Sequence, residues 1–170
     1  MQKHPVRKVV LAAVMGALTC AATMAIRIPT PGTGGYLHPG DALVILCGVV
    51  LGPVGGALAA GIGSALADLA AGAPLYIPIT LVLKGIIAFA AGLLYQKFSG
   101  TKGTLAVALG GVVDTLVVTG GYLLWDLMLY GVGAVASIPS NLIQGISGLV
   151  LSVVLYRALL AVPDFRKLLS

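Results

Sequence analysis

Six ionisable side chains interrupt the apolar stretches of this 170-residue sequence: Arg27, Asp41, Asp68, Lys84, Asp114 and Asp126. Charge within an oily chain is costly, so such groups normally face one another or a wet cavity. Polar and aromatic partners accompany them: Tyr36 and His38 before Asp41, Tyr76 before Lys84, Trp125 beside Asp126, then Asn141 and Gln144. This set suits hydrogen-bonded capture of a small polar solute, with rings to stack on a flat ligand. Catalysis fits poorly, because no nucleophile–base pair stands out around the two histidines, His4 and His38. Cys20 and Cys47 sit in apolar runs without metal-ligand spacing and read as small buried residues. No metal or cofactor is expected. A blander reading competes residue by residue: caps, an interfacial aromatic belt, and structural ion pairs such as Lys84 with an aspartate.

The elements that must position these groups are membrane helices. Only 9% of the residues are charged while 59% are apolar, too few charges to clothe a water-facing surface. The apolar runs are Val9 to Ile26, Ala42 to Leu51, Val54 to Ala71, Ile77 to Tyr95, Thr104 to Tyr130, and Ser137 to about Leu160. They predict an all-α integral membrane bundle of six transmembrane helices in one domain, residues 1–170. The second helix is short, roughly 15–20 Å against a bilayer core of about 30 Å. Asp41 can cap it, and Gly52-Pro53 makes a tight reversal after it. Gln96 to Gly103 reads as a polar, basic connection, and Pro163 as the stop of the sixth helix.

Lys3, Arg7 and Lys8 precede the first run; Lys97 and Lys102 lie between the fourth and fifth; Arg157, Arg166 and Lys167 lie at or beyond the end of the sixth. Six crossings put all eight on one side, which the positive-inside rule makes cytoplasmic, together with both termini. Membrane orientation thus explains the net charge of +5 without nucleic acid. The basic start followed by an apolar run also resembles a signal peptide, but five further runs favour its retention as a first helix in the cell membrane. With this topology the embedded polar residues collect in the outer half, Asp114 excepted. The balance of Arg27 and Lys84 against four aspartates is −2, which suits a neutral or weakly basic ligand. The Gly/Pro-rich loop Pro29 to Tyr36 suits a lid, or simply a tight connector.

Ala13, Ala17, Ala21 and Ala25 form a ladder on the first helix, with Ala12 and Gly16 beside it; Gly55, Ala59, Gly63 and Ala67 form another on the third. Such ladders allow close helix packing, inside a chain or between chains.

The stretches Arg27-Ile-Pro, Gly34-Gly-Tyr-Leu-His-Pro-Gly-Asp41, Leu51-Gly-Pro, Gly63-Ser-Ala-Leu-Ala-Asp68, Tyr76-Ile-Pro-Ile-Thr and Lys84-Gly85 together resemble the substrate-binding (S) subunits of energy-coupling-factor (ECF) vitamin transporters. The resemblance implies capture of a vitamin from outside, docking on an ECF transmembrane coupling protein driven by two ATP-binding-cassette ATPases, and toppling of the subunit to release its ligand. It implies an Ala-x-x-x-Ala contact with the coupling protein, matched by Ala13 and Ala17, with Ala12 and Gly16 as a second candidate. The subunit itself would carry no ATPase site, and the sequence has no Walker-type phosphate loop. The ligand-binding candidates are Arg27, Tyr36, His38, Asp41, Asp68, Tyr76, Lys84, Trp125, Asp126, Asn141 and Gln144. Relatives are of riboflavin, pyridoxine and hydroxymethylpyrimidine type; the charge balance favours the latter two. The rival is a stand-alone proton- or ion-coupled secondary transporter using Asp114, Asp126 and Lys84 as a relay, although the internal repeats common in such carriers are not seen.

Overall fold

The computed structural model describes residues 5–169; Lys3 and His4 lie outside them. The protein is almost entirely helical, with α1 at Pro5–Ala25, α2 at Asp41–Ala71, α3 at Ile77–Tyr130, α4 at Ile138–Leu159 and a short α5 at Pro163–Leu169. Its surface is that of a membrane protein. Val14, Leu58, Leu116 and Val150 are about half exposed or more, whereas Lys84, Asp41 and Asp114 are fully buried. Only a lipid solvent makes that inversion favourable. Among the described residues, four stretches are long and apolar enough to cross a bilayer: Val6–Ala25, Asp41–Ala71, Pro74–Phe98 and Lys102–Leu159.

Two of the helices conceal chain reversals. Within α2, Gly52 leaves helical geometry at φ 77°, ψ 177°, a left-handed φ that glycine adopts without strain. Eight residues along a continuous helix span about 12 Å. Yet a Cβ added to Gly56 would lie 2.5 Å from the Cα of Gly48. The chain therefore doubles back, and Gly56 has no room for a side chain there, while a Cβ on Gly48 would meet the Ala88 carbonyl oxygen at 2.1 Å. The reversal expected at Gly52-Pro53 is thus present, after a short segment 41–51. In α3 the break is at Lys102 (φ −139°, ψ 41°). Tyr76 meets Asp126 and Thr80 meets Tyr122 across the resulting antiparallel pair. The polar stretch from Gln96 is therefore helix up to the single residue Lys102, not an open loop.

Two other expectations are corrected. Asp41 does not cap its helix, because Lys84 and Gln144 occupy its two oxygens; Gly40 is the N-cap and no side chain caps it. Pro163 does not stop the last long helix, which ends at Leu159; it opens α5, where its missing N–H and fixed φ suit a first turn. The connector after Arg27 carries a short hairpin: β1 (Ile28–Pro29) and β2 (Tyr36–Leu37) pair antiparallel, Ile28 opposite Leu37 and Pro29 opposite Tyr36.

Below the polar groups the interior is dry. Ile45, Cys47, Ile87, Ala88, Ala91, Val107 and Val118 are all fully buried in one cluster. Cys47 meets Thr19 at 3.5 Å. Both cysteines are free thiols, Cys47 buried and Cys20 half-buried.

Candidate functional site

The chain reversals set the site. Folding α3 back at Lys102 brings residues 76–84 alongside residues 122–126, and α4 then returns with Asn141 and Gln144 in its first turns. Asp68 closes α2 and Tyr36 is carried by β2. These pieces meet at the end of the molecule opposite the Gly52 reversal and enclose a cavity of about 30 Å³, room for roughly two waters.

Its walls are hydrogen-bonded. Tyr36 Oη donates to Asp68 Oδ1 at 2.7 Å, and Tyr76 Oη donates to Asp126 Oδ1 at 2.6 Å. Thr80 and Tyr122 share a hydrogen bond of 2.9 Å. Gln144 ties the connector to the core: its Oε1 accepts the His38 N–H at 3.2 Å, and its Nε2 donates to Asp41 Oδ2 at 2.8 Å. The connector is also held by the Gly34 N–H, which donates to Tyr130 Oη at 3.2 Å.

Electrostatically the cavity is acceptor-rich. Burial lowers His38 to a pKa of about 4, and Lys84 beyond it adds to that, against an opposing pull from Asp41. The imidazole is therefore neutral, and its Nδ1 accepts the Gly40 N–H at 3.1 Å. Burial raises the Tyr36 phenol, reinforced by its bond to Asp68, so Tyr36 stays a donor. Asp68 and Asp126 line the wall, and among the described residues no lining side chain carries a positive charge. Asp68 Oδ2 is buried, and the Thr80 hydroxyl also interacts with this carboxyl group.

Seven of the residues singled out from sequence line this cavity: Tyr36, His38, Asp68, Tyr76, Asp126, Asn141 and Gln144. Four do not. Asp41 and Lys84 form a fully buried ion pair that is absent from the lining, with Lys84 Nζ also 5.6 Å from the Tyr122 ring centroid. Arg27 is exposed, its guanidinium 5.9 Å from the Tyr36 ring centroid. Trp125 is half-buried against the apolar core, its indole N–H without a partner. Sequence reasoning left Thr30, Thr33, Gly35 and Thr80 unnamed as lining residues, and had Tyr122 only as an outer-side ring able to stack on a ligand. Two carried a signal: Thr80 precedes Lys84, and Tyr122 precedes Asp126, by one helical turn on the same face. Asp114 is fully buried and neither of its oxygens has a partner. A Cβ added to Gly148 would lie 2.7 Å from Asp114 Oδ2 and 2.8 Å from Asp41 Cβ, so the two aspartates are neighbours.

On α1, Gly16 is buried, and a Cβ there would lie 3.1 Å from the Ala59 carbonyl oxygen. Ala12 is half-buried. Ala13, Ala17, Ala21 and Ala25 are exposed. The inner small residues serve packing within the chain, and the alanine ladder is left as an open flat face.

Residues 3–161 match the family model described as "ECF-type riboflavin transporter, S component". A Pyrococcus woesei protein, described as an uncharacterised protein in the gap 3′ region, is 40% identical over 131 residues, 76% of this chain and 85% of its own length. The thiamine precursor transporter HmpT of Lactococcus lactis subsp. cremoris (strain MG1363) is 30% identical over 157 residues, 91% of this chain and 89% of its own. In fold, the chain resembles the solved S component of a bacterial ECF transporter, with a TM-score of 0.70 and 22% identity, over 92% of this chain and 96% of that one. With nearly the whole length matched, this multi-pass membrane chain belongs to the family of S components of ECF-type vitamin transporters.

Proposed function

We propose that this protein captures a small vitamin or vitamin precursor from outside the cell and delivers it through an ECF module, and that its ligand is pyridoxine-like or hydroxymethylpyrimidine-like rather than riboflavin-like. The observation that carries the ligand class is the cavity wall: two carboxyl groups, hydroxyls and amides, and no cation among the described lining residues. The relationship to a protein described as a thiamine precursor transporter points the same way.

In this reading the chain crosses the membrane six times, with the reversals at Gly52 and Lys102 and both termini on the cytoplasmic side. Arg7, Lys8, Lys97, Lys102 and Arg157 would lie on that side, as the positive-inside rule requires. The cavity then opens outward. The connector 27–40 is its movable wall, since ligand pockets usually measure about 300–1,000 Å³.

Transport would proceed by whole-subunit movement on the coupling protein, powered by two ABC-type ATPases. The large apolar cluster of the interior supports this over a stand-alone secondary transporter. The exposed Ala13–Ala17 face is the surface offered to the coupling protein. Uptake of labelled hydroxymethylpyrimidine or pyridoxine by cells expressing this chain tests the reading. It should require a co-expressed ECF module, and Ala17→Trp should abolish it while ligand binding to the purified chain persists. Uptake by the chain alone, driven by an ion gradient, would refute it.

A further inference from the structure

We infer that Asp41 and Asp114 hold one bound proton between them, so that together with the Lys84 ammonium they form an electrically neutral proton-binding site sealed inside the bundle. This site is separate from the ligand cavity, since none of the three groups lines it.

Lys84, Asp41 and Asp114 are each fully buried. Both Asp41 oxygens are supplied with donors: Lys84 Nζ is bonded to Oδ1, and Gln144 Nε2 donates to Oδ2 at 2.8 Å. Asp114, on the half of α3 that follows Lys102, has none. Its two oxygens are buried without a hydrogen-bond partner. Yet its carboxyl group stands next to Asp41, because a Cβ on Gly148 would meet Asp114 Oδ2 at 2.7 Å and Asp41 Cβ at 2.8 Å.

Two carboxylates and one ammonium would leave a net negative charge in the interior of a lipid-embedded bundle. No neighbouring element offsets it among the described residues. The connector brings His38, whose imidazole is neutral. The end of α2 brings Asp68, a further acid within electrostatic reach of Lys84. The second half of α3 brings the Tyr122 phenol, its ring centroid 5.6 Å from Lys84 Nζ, and α4 brings the Gln144 amide. An uncompensated charge in such a medium is expensive, and an ionised carboxylate also needs donors that Asp114 is not offered. A neutral carboxylic acid meets both conditions. It sheds the charge and needs no incoming donor. Adjacent carboxyl groups shielded from water take up one proton between them for this reason. The proton falls to Asp114, which has no donor, and Asp41 keeps the charge that Lys84 answers. Through Gln144, whose Oε1 accepts the His38 N–H at 3.2 Å, the neutral site also anchors the connector.

The sequence has five acidic side chains, Asp41, Asp68, Asp114, Asp126 and Asp164, so infrared spectroscopy can count its protonated carboxyl groups. The test is the difference spectrum, wild type minus variant, of the full chain in nanodiscs at neutral pH. It is read at the carbonyl stretch of a neutral carboxylic acid, which a carboxylate lacks. Asp114→Asn should lose one such band. Asp41→Asn should lose one as well, because Asp114 then ionises to pair with Lys84. Asp164→Asn, at an exposed position on α5, should lose none. Growth on aspartate carrying a heavy carbonyl-carbon isotope should shift the band in the wild type, a measurement that needs no variant to fold. No acid band in the labelled wild type, an unchanged band in Asp114→Asn, or its survival in Asp41→Asn would each overturn the inference.

Discussion

Replacing Lys84 by methionine should cost this protein more than any change at its partner. The Lys84 ammonium and the Asp41 carboxylate are both fully buried and bonded to each other. Asp114 stands beside Asp41 with neither oxygen partnered. One cation thus serves two neighbouring carboxyl groups. Lys84→Met strands both; Asp41→Asn leaves the ammonium a neighbouring acceptor in Asp114 and keeps a partner for Gln144. Breaking a buried pair by removing one side costs about 3–5 kcal/mol. We take that full cost for Lys84→Met and about 1–3 kcal/mol for Asp41→Asn. At about 2–4 °C per kcal/mol for a chain of this size, Lys84→Met should melt roughly 6–20 °C below wild type. The double variant Lys84→Met/Asp41→Asn should recover part of the loss, since a neutral pair removes the uncompensated charge. Cys47, buried in the core, supplies the assay once the half-buried Cys20 is replaced by alanine in every variant: a thiol-reactive dye then reports Cys47 exposure on heating. A Lys84→Met midpoint within 2 °C of wild type, or a double variant worse than both singles combined, would refute the reasoning.

Gly56→Leu should prevent folding, because a side chain there would enter the Gly48 backbone at the Gly52 reversal; loss of the monodisperse peak in size-exclusion chromatography is the expected result. Stability should also fall as pH drops from about 6.5 to about 4. In that window the unfolded His38 binds a proton that the folded site refuses, so the unfolded state gains protons and each pH unit costs roughly 1.4 kcal/mol. His38→Asn, whose side-chain oxygen can accept the Gly40 N–H in place of Nδ1, should flatten that part of the pH–melting profile.

Much of this was legible in the residues themselves. Scarce charge and long apolar runs dictate a lipid solvent and helices, because no other open-ended secondary structure satisfies its backbone in a bilayer. The left-handed φ that the Gly52-Pro53 step adopts is a local property of glycine, and so was readable before any contact was known. Seven of the cavity residues, from Tyr36 to Gln144, were identifiable because polar groups inside apolar helices rarely lack a function. Which of them face the cavity and which form its floor was decided only by tertiary packing. Lys84 and Asp41 look like ligand residues in sequence, but the reversal of α2 and the entry of α3 place them tip to tip beneath the site. Thr80 looks unremarkable until the fold back at Lys102 sets it against Tyr122. The open face of α1 depends likewise on Gly16 turning inward against α2. Composition and spacing fix what each segment must avoid, namely lipid against charge. Partner choice among buried polar groups depends on distances between segments far apart in the chain, and those exist only once the helices have packed.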